Sequence, residues 1–166
     1  GRYIRGVRTI KKDIKITVMV DTSSSIDRRM FNTFITEIVN ILDTITPTSE
    51  INLILFNSSV YSTPALFHLS PSDTDIIYKT KFIGGGNDSS TAVDFYQQHE
   101  DELGDSDILI LFTDGYVYTE RDMSPNLFDF LPAGTQLITV LVTPYNLDFV
   151  SKYSNNHIII TDISMK

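Results

Sequence analysis

Residues 14–25 read Ile14-Lys15-Ile16-Thr17-Val18-Met19-Val20-Asp21-Thr22-Ser23-Ser24-Ser25, and two kinds of chemistry meet inside them. The run 14–20 is rich in β-branched residues, which pack well on a pleated surface, and its length suits a buried strand. It stops at Asp21. Ser23 and Ser25 follow at two-residue intervals, and the apolar periodicity of a long helix begins directly after them. An acid and two hydroxyls therefore occupy the turn that leaves a strand and enters a helix. In open α/β sheets ligands bind there, in the crevice beyond the carboxyl ends of the strands. A carboxylate and two hydroxyls at i, i+2 and i+4 can converge on one hard cation, and Mg²⁺ takes oxygen ligands while keeping several waters. The same residue types are also ordinary helix N-caps, so this stretch alone leaves both readings open.

Working outward, Ile26, Met30, Phe34, Ile38, Ile41 and Ile45 keep three-to-four spacing, widened by Phe31, Ile35 and Leu42. That stripe predicts a helix over 26–45 packed on a sheet, ended ahead of Pro47. The run 51–56 reads as a second buried strand. After the turn at Asn57-Ser58-Ser59, residues 60–62 read as an antiparallel return at the sheet edge, with Pro64 just beyond. Ser70-Pro71-Ser72-Asp73 opens a short helix carrying Ile76 and Ile77. A further helix is expected over 90–103, ending at Gly104. The run 108–112 is the most apolar and should be the central strand. Strands are expected again at 137–142 and 157–160, with a helical turn at 127–131 and a short helix at 147–153. Strands alternating with helices predict a doubly wound α/β fold: a mostly parallel central sheet, one antiparallel edge strand, and helices on both faces.

The chain has 166 residues, a length suited to one domain, with 42% hydrophobic residues, 11% aromatic and no cysteine. Disulfides and thiolate metal sites are thereby excluded. The net charge is −8, but the arm 1–12 holds five of the 13 basic residues: Arg2, Arg5, Arg8, Lys11 and Lys12. The expected organisation is a basic arm or linker over 1–12 and a domain over 13–166. An acidic body argues against nucleic acid as a partner. No apolar run is long enough for a membrane span, and 1–30 shows no signal-peptide core, so a cytoplasmic setting is the expectation.

Three polar loops stand out: 21–25, 84–89 and 113–115. In a parallel sheet the strand ends before the first and third lie on one edge, and the loop Gly84-Gly85-Gly86-Asn87-Asp88-Ser89 can reach it. Here the sequence resembles von Willebrand factor A domains. Asp21-Thr22-Ser23-Ser24-Ser25 matches their Asp-x-Ser-x-Ser motif, Thr113-Asp114-Gly115 matches their Thr-Asp-Gly motif, and the glycine loop sits where they carry a metal-binding threonine. The resemblance runs from about Lys12 onward. It is nearest to bacterial and phage domains at the carboxyl end of metallopeptidase-like proteins.

The resemblance implies a metal-ion-dependent adhesion site for Mg²⁺ or Mn²⁺, with no catalysis. Ser23 and Ser25 would contact the ion, and Asp21 and Asp114 would act directly or through water. By spacing, the family threonine falls on Asn87, an amide in place of a hydroxyl; Ser89 and Thr91, with Asp88 beside them, are the supporting candidates. The implied partner is a protein that offers an Asp or Glu to the metal, a MoxR-type AAA+ ATPase among the family's associates. A degenerate scaffold that keeps the motif for capping is one alternative. A Mg²⁺-dependent phosphohydrolase is the other; it would need a second Asp where Ser23 stands, and a lysine for which Lys152 is the remote candidate. There is no Gly-x-Ser-x-Gly elbow and no P-loop. His68, His99 and His157 are scattered.

Overall fold

The computed structural model describes residues 12–153, 156–161 and 163; the arm 1–12 lies outside them except for Lys12. The elements run β1 (Lys15–Asp21), α1 (Arg28–Leu42), β2 (Glu50–Phe56), α2 (Thr74–Tyr78), α3 (Ser89–Gln98), α4 (Glu100–Leu103), β3 (Ile108–Thr113), β4 (Gln136–Leu141) and β5 (His157–Ile160). The five strands form one parallel sheet in the order β2-β1-β3-β4-β5. With β3 central, as expected, the order reverses between β1 and β3, which is the crevice where open α/β sheets bind ligands.

Strand periodicity explains why both faces are covered. Val18 and Val20 of β1, with Ile110 and Phe112 of β3, join one core with Phe34, Ile35 and Ile38 of α1. Met19, Leu109 and Leu111 point the other way, into a second core with Ala92, Val93 and Tyr96 of α3 and with Phe128. Successive strand residues face opposite sides, so a sheet buried on both faces reads as an unbroken apolar run. The Phe34 and Phe112 rings meet at 5.3 Å between centroids. Among the described residues no helix is long and apolar enough to cross a membrane.

Three local expectations are corrected. The edge return at 60–62 is a single antiparallel bridge between Phe56 and Val60, with a second bridge between Ile51 and Leu69. The ladder stops because Ser62 Oγ, not a backbone carbonyl, accepts the Leu55 N–H at 2.7 Å, and Pro64 opens a 3₁₀ turn. The helix expected over 90–103 divides at His99, whose backbone leaves the helical region. Its ring stacks on Phe95 and sets Nδ1 2.8 Å from the Phe95 carbonyl. Finally, α1 begins after Asp27, whose carboxylate caps it by accepting the Met30 N–H at 2.8 Å. This last point bears on function: the cap of α1 is none of Asp21, Ser23 or Ser25.

Candidate functional site

Asp21 is the last residue of β1 and is buried, 1% exposed, rather than lying in a solvent-reaching turn. Its Oδ1 accepts the Ser23 N–H at 2.8 Å, which bends the chain out of the strand. Its Oδ2 accepts the Thr113 hydroxyl at 2.7 Å across the β1–β3 crevice. The first and third loops are thus joined through one carboxylate. Thr113 Oγ1 also accepts the Gly115 N–H at 3.0 Å, setting the turn that carries Asp114.

Ser23 is buried and Ser25 half-buried, with their hydroxyl oxygens 3.3 Å apart. The Ser25 hydroxyl donates to Asp114, whose Oδ1 also accepts the Tyr116 N–H at 3.2 Å. Asn87 completes the chain of contacts: its Nδ2 donates to the Tyr116 carbonyl. Its Oδ1 is buried and has no hydrogen-bond partner among the described residues. Asp21, Ser23, Ser25, Asn87 and Asp114 therefore belong to one connected cluster at the carboxyl end of the sheet.

The electrostatics are those of a site short of positive charge. Burial pushes the Asp21 carboxyl up to about 6 against the bonds from Ser23 and Thr113, and the Asp114 charge adds to the rise. Burial likewise raises Asp114 against the bonds from Ser25 and Tyr116. Among the described residues no Lys or Arg is one of the main influences on either carboxylate. Nor do three His, Cys, Asp or Glu side chains gather as a metal-binding group. Any cation here would be held by carboxylate, hydroxyl and amide oxygens, a donor set that suits Mg²⁺ or Mn²⁺.

The supporting candidates have other duties. Asp88 is the N-cap of α3, its Oδ1 accepting the Ser90 N–H at 3.1 Å. The Thr91 hydroxyl donates to the Asp88 carbonyl at 2.7 Å, and the Ser89 hydroxyl bonds to Asp122. Their place in the fold is the first turn of α3.

Two residues that the sequence pattern does not single out hold the glycine loop. The Thr22 hydroxyl lies 3.0 Å from the Phe56 carbonyl and 2.9 Å from the Ile83 carbonyl, and Asn57 Nδ2 donates to Ile83 at 3.0 Å. Asp122 is fully buried and accepts the Ser89 N–H at 3.0 Å and the Ser90 N–H at 2.8 Å. Burial and the nearby Asp88 push its carboxyl up to about 6. Asp122→Ala leaves two buried N–H groups without this acceptor. At pH 4, where the raised carboxyl is still protonated in the folded protein, it is expected to destabilise by about 2 kcal/mol, with Asp122→Asn costing less because one oxygen remains; above about pH 6 both variants escape the cost of the buried charge and the loss shrinks. Urea unfolding of the two variants checks this order.

The von Willebrand factor type A domain model matches residues 15–160. The chain belongs to the von Willebrand factor type A family. Solved structures agree on the fold. Proximal thread matrix protein 1 from the mussel byssus superposes with a TM-score of 0.76 at 18% identity, over 93% of this chain and 45% of that one. A von Willebrand factor type A protein from Catenulispora acidiphila gives 0.72 at 14%, over 92% and 39%. The ArnB paralog VWA2 from Sulfolobus acidocaldarius gives 0.68 at 16%, over 93% and 43%. The chain thus spans less than half the length of these relatives. The mussel protein has also been solved with a zinc-occupied MIDAS motif. No curated protein sequence matches the chain.

Proposed function

We infer that this von Willebrand factor type A domain is a metal-ion-dependent protein-binding module, with Asp21, Ser23, Ser25, Asn87 and Asp114 holding one divalent cation. The observation that carries the reading is the Asn87 amide oxygen, buried and without a hydrogen-bond partner among the described residues, linked through Tyr116 to Asp114 in a cluster whose two carboxyls burial raises. Buried polar atoms are rarely left unpaired, and a cation satisfies the oxygen and both acids together. The N-cap at Asp27 supports the same reading, because it frees the Asp-x-Ser-x-Ser residues from capping α1. The all-oxygen donor set supports Mg²⁺ or Mn²⁺, and the mussel relative makes Zn²⁺ the third ion to try.

Bound there, a dication supplies an electrophilic centre for a partner's Asp or Glu. The chain's own acids do the rest. With a net charge of −8, the body repels an incoming carboxylate until the cation is in place. The phosphohydrolase alternative loses support, because both oxygens of Asp21 are engaged and the side chain is buried. A MoxR-type AAA+ ATPase as partner, an adaptor role in a larger complex, and a bacterial or phage cytoplasmic setting are supported by the family resemblance alone.

Titration calorimetry with Mg²⁺, Mn²⁺ and Zn²⁺ is expected to show one site, lost in Asp114→Ala. Affinity capture from a lysate with Mg²⁺ is expected to retain a partner that EDTA, Asp114→Ala, or Asn or Gln in place of the partner's acid releases. Equal retention in EDTA would mean that the partner uses another surface. Turnover of generic phosphate esters that requires Mg²⁺ and vanishes in Asp21→Asn would turn the assignment to the enzyme.

A further inference from the structure

On the β2 side of the sheet lies a groove of about 500 Å³ lined by Leu55, Tyr61, Leu66, Ile76 and Ile83, with Lys79 and Lys81 also in its lining. Ile76 and Ile83 are 39% and 46% exposed, so their apolar surface is open to a ligand. The groove is built and held. Tyr61 Oη donates to the Lys81 carbonyl at 3.1 Å and accepts the Ile83 N–H at 3.3 Å, pinning the wall 81–83 to the segment that follows β2. That wall is in turn fixed to Thr22 and Asn57 through the Ile83 carbonyl.

Charge decides the occupant. Lys15 is paired with Glu50, Arg121 with Asp94, and Arg28 lies over the Phe82 ring. Among the described residues neither Lys79 nor Lys81 has a carboxylate partner, and both are exposed. Two ammonium groups without an ion-pair partner among the described residues thus line an apolar trough. The chain's own arm does not match, because 1–12 carries Arg2, Arg5, Arg8, Lys11 and Lys12 and would be repelled.

We propose that this groove binds a short acidic and aliphatic peptide segment of a partner protein, seating Leu or Ile side chains between Ile76 and Ile83 and Asp or Glu side chains against Lys79 and Lys81. The proposal does not rest on the metal reading and is tested without metal. A fluorescein-labelled peptide alternating Leu with Glu is titrated with the full chain in EDTA, beside peptides alternating Leu with Lys and Ser with Glu. Only the Leu/Glu peptide is expected to bind, and more weakly as salt rises. Its amide shift changes are expected at Leu66 and over 76–83. The double variant Lys79→Glu, Lys81→Glu is expected to weaken it about tenfold or more, and Ile76→Ser separately weakens it. Both variants change exposed side chains and should melt like the wild type, which keeps loss of binding distinct from loss of fold. Equal binding of the Leu/Lys peptide, indifference to the double charge reversal, or shift changes elsewhere overturns the proposal. So does self-association that the charge reversal abolishes, which would seat a second copy of the chain in the groove.

Discussion

Asp21→Asn is expected to raise the melting temperature of the metal-free protein at pH 8 while abolishing divalent-cation binding. The carboxyl's folded value, about 6, lies above the ordinary 3.8 because burial outweighs the bonds from Ser23 and Thr113. Well below pH 3.8 the group is protonated in both folded and unfolded states and the difference has no effect. As pH rises from about 4 to about 6, the unfolded chain gives up its proton first and folding loses stability. Above about 6 the loss is complete, at roughly 3 kcal/mol by linkage. Asn carries no charge and escapes that loss. It keeps an oxygen for the Ser23 N–H, and it loses the acceptor for the Thr113 hydroxyl, at about 1 kcal/mol. The net gain at pH 8 is therefore about 1–2 kcal/mol, or a few degrees for a domain of this size. At pH 4 the variant should show no gain. Melting in EDTA at both pH values, paired with Mn²⁺ titration, reads both halves. In the wild type the cation must displace the proton, so affinity should fall about tenfold per pH unit below 6. A variant less stable at pH 8 would deny the desolvated carboxylate, and one that binds Mn²⁺ as the wild type does would remove the ion from this crevice.

That experiment turns on a burial the sequence did not disclose. The motif residues were legible because polar residues interrupt two of the most apolar runs in the chain, at Asp21 and at Thr113. Convergence followed from parallel strands ending on one edge. Whether Asp21 belongs to the strand or the turn is decided by its bond to Thr113, a tertiary contact with no local signal. The choice between capping and ligation had the same character. It is Asp27, six residues on, that takes up the cap of α1, and only the helix start reveals it. Asp122 was invisible for a different reason. It lies in the irregular segment between β3 and β4, where no periodicity marks a residue, and it reaches the first turn of α3 from 32 residues away. The helices and strands that were read well are those with broad stripes or dense β-branched runs. The edge return and the helix break at His99 each depend on one side chain taking up a backbone group, which pattern alone does not resolve.

Gly115→Ala is expected to be among the most damaging single-methyl additions in the chain, at about 3 kcal/mol or more. Gly115 has φ of +80°, where a side chain is strained by about 1 kcal/mol. The greater damage comes from a collision. A Cβ built there would stand 2.0 Å from the Asn146 carbonyl oxygen and 3.1 Å from its carbon, both backbone atoms that cannot swing aside. Retreat of that loop would break the bond from the Asn146 N–H to the Asp114 carbonyl at 2.8 Å. A shift of Gly115 itself would pull its N–H from Thr113 Oγ1, and through Thr113 disturb Asp21. The glycine of the Thr-Asp-Gly motif thus positions both carboxylates of the site. The variant should melt roughly 6–12 °C lower and bind Mn²⁺ more weakly than its residual fold would suggest. Gly115→Asn separates the causes, because Asn tolerates a positive φ but carries the same Cβ. If the collision dominates, Asn and Ala fall together; if strain dominates, Asn is spared. Gly134→Ala is the matched control, since a Cβ there meets nothing within 4 Å. It should leave stability unchanged or slightly raised through the unfolded chain. A Gly115→Ala protein within about 1 kcal/mol of the wild type would show that the loop at Asn146 yields freely, and that this glycine is not what holds Asp114 and Asp21 in place.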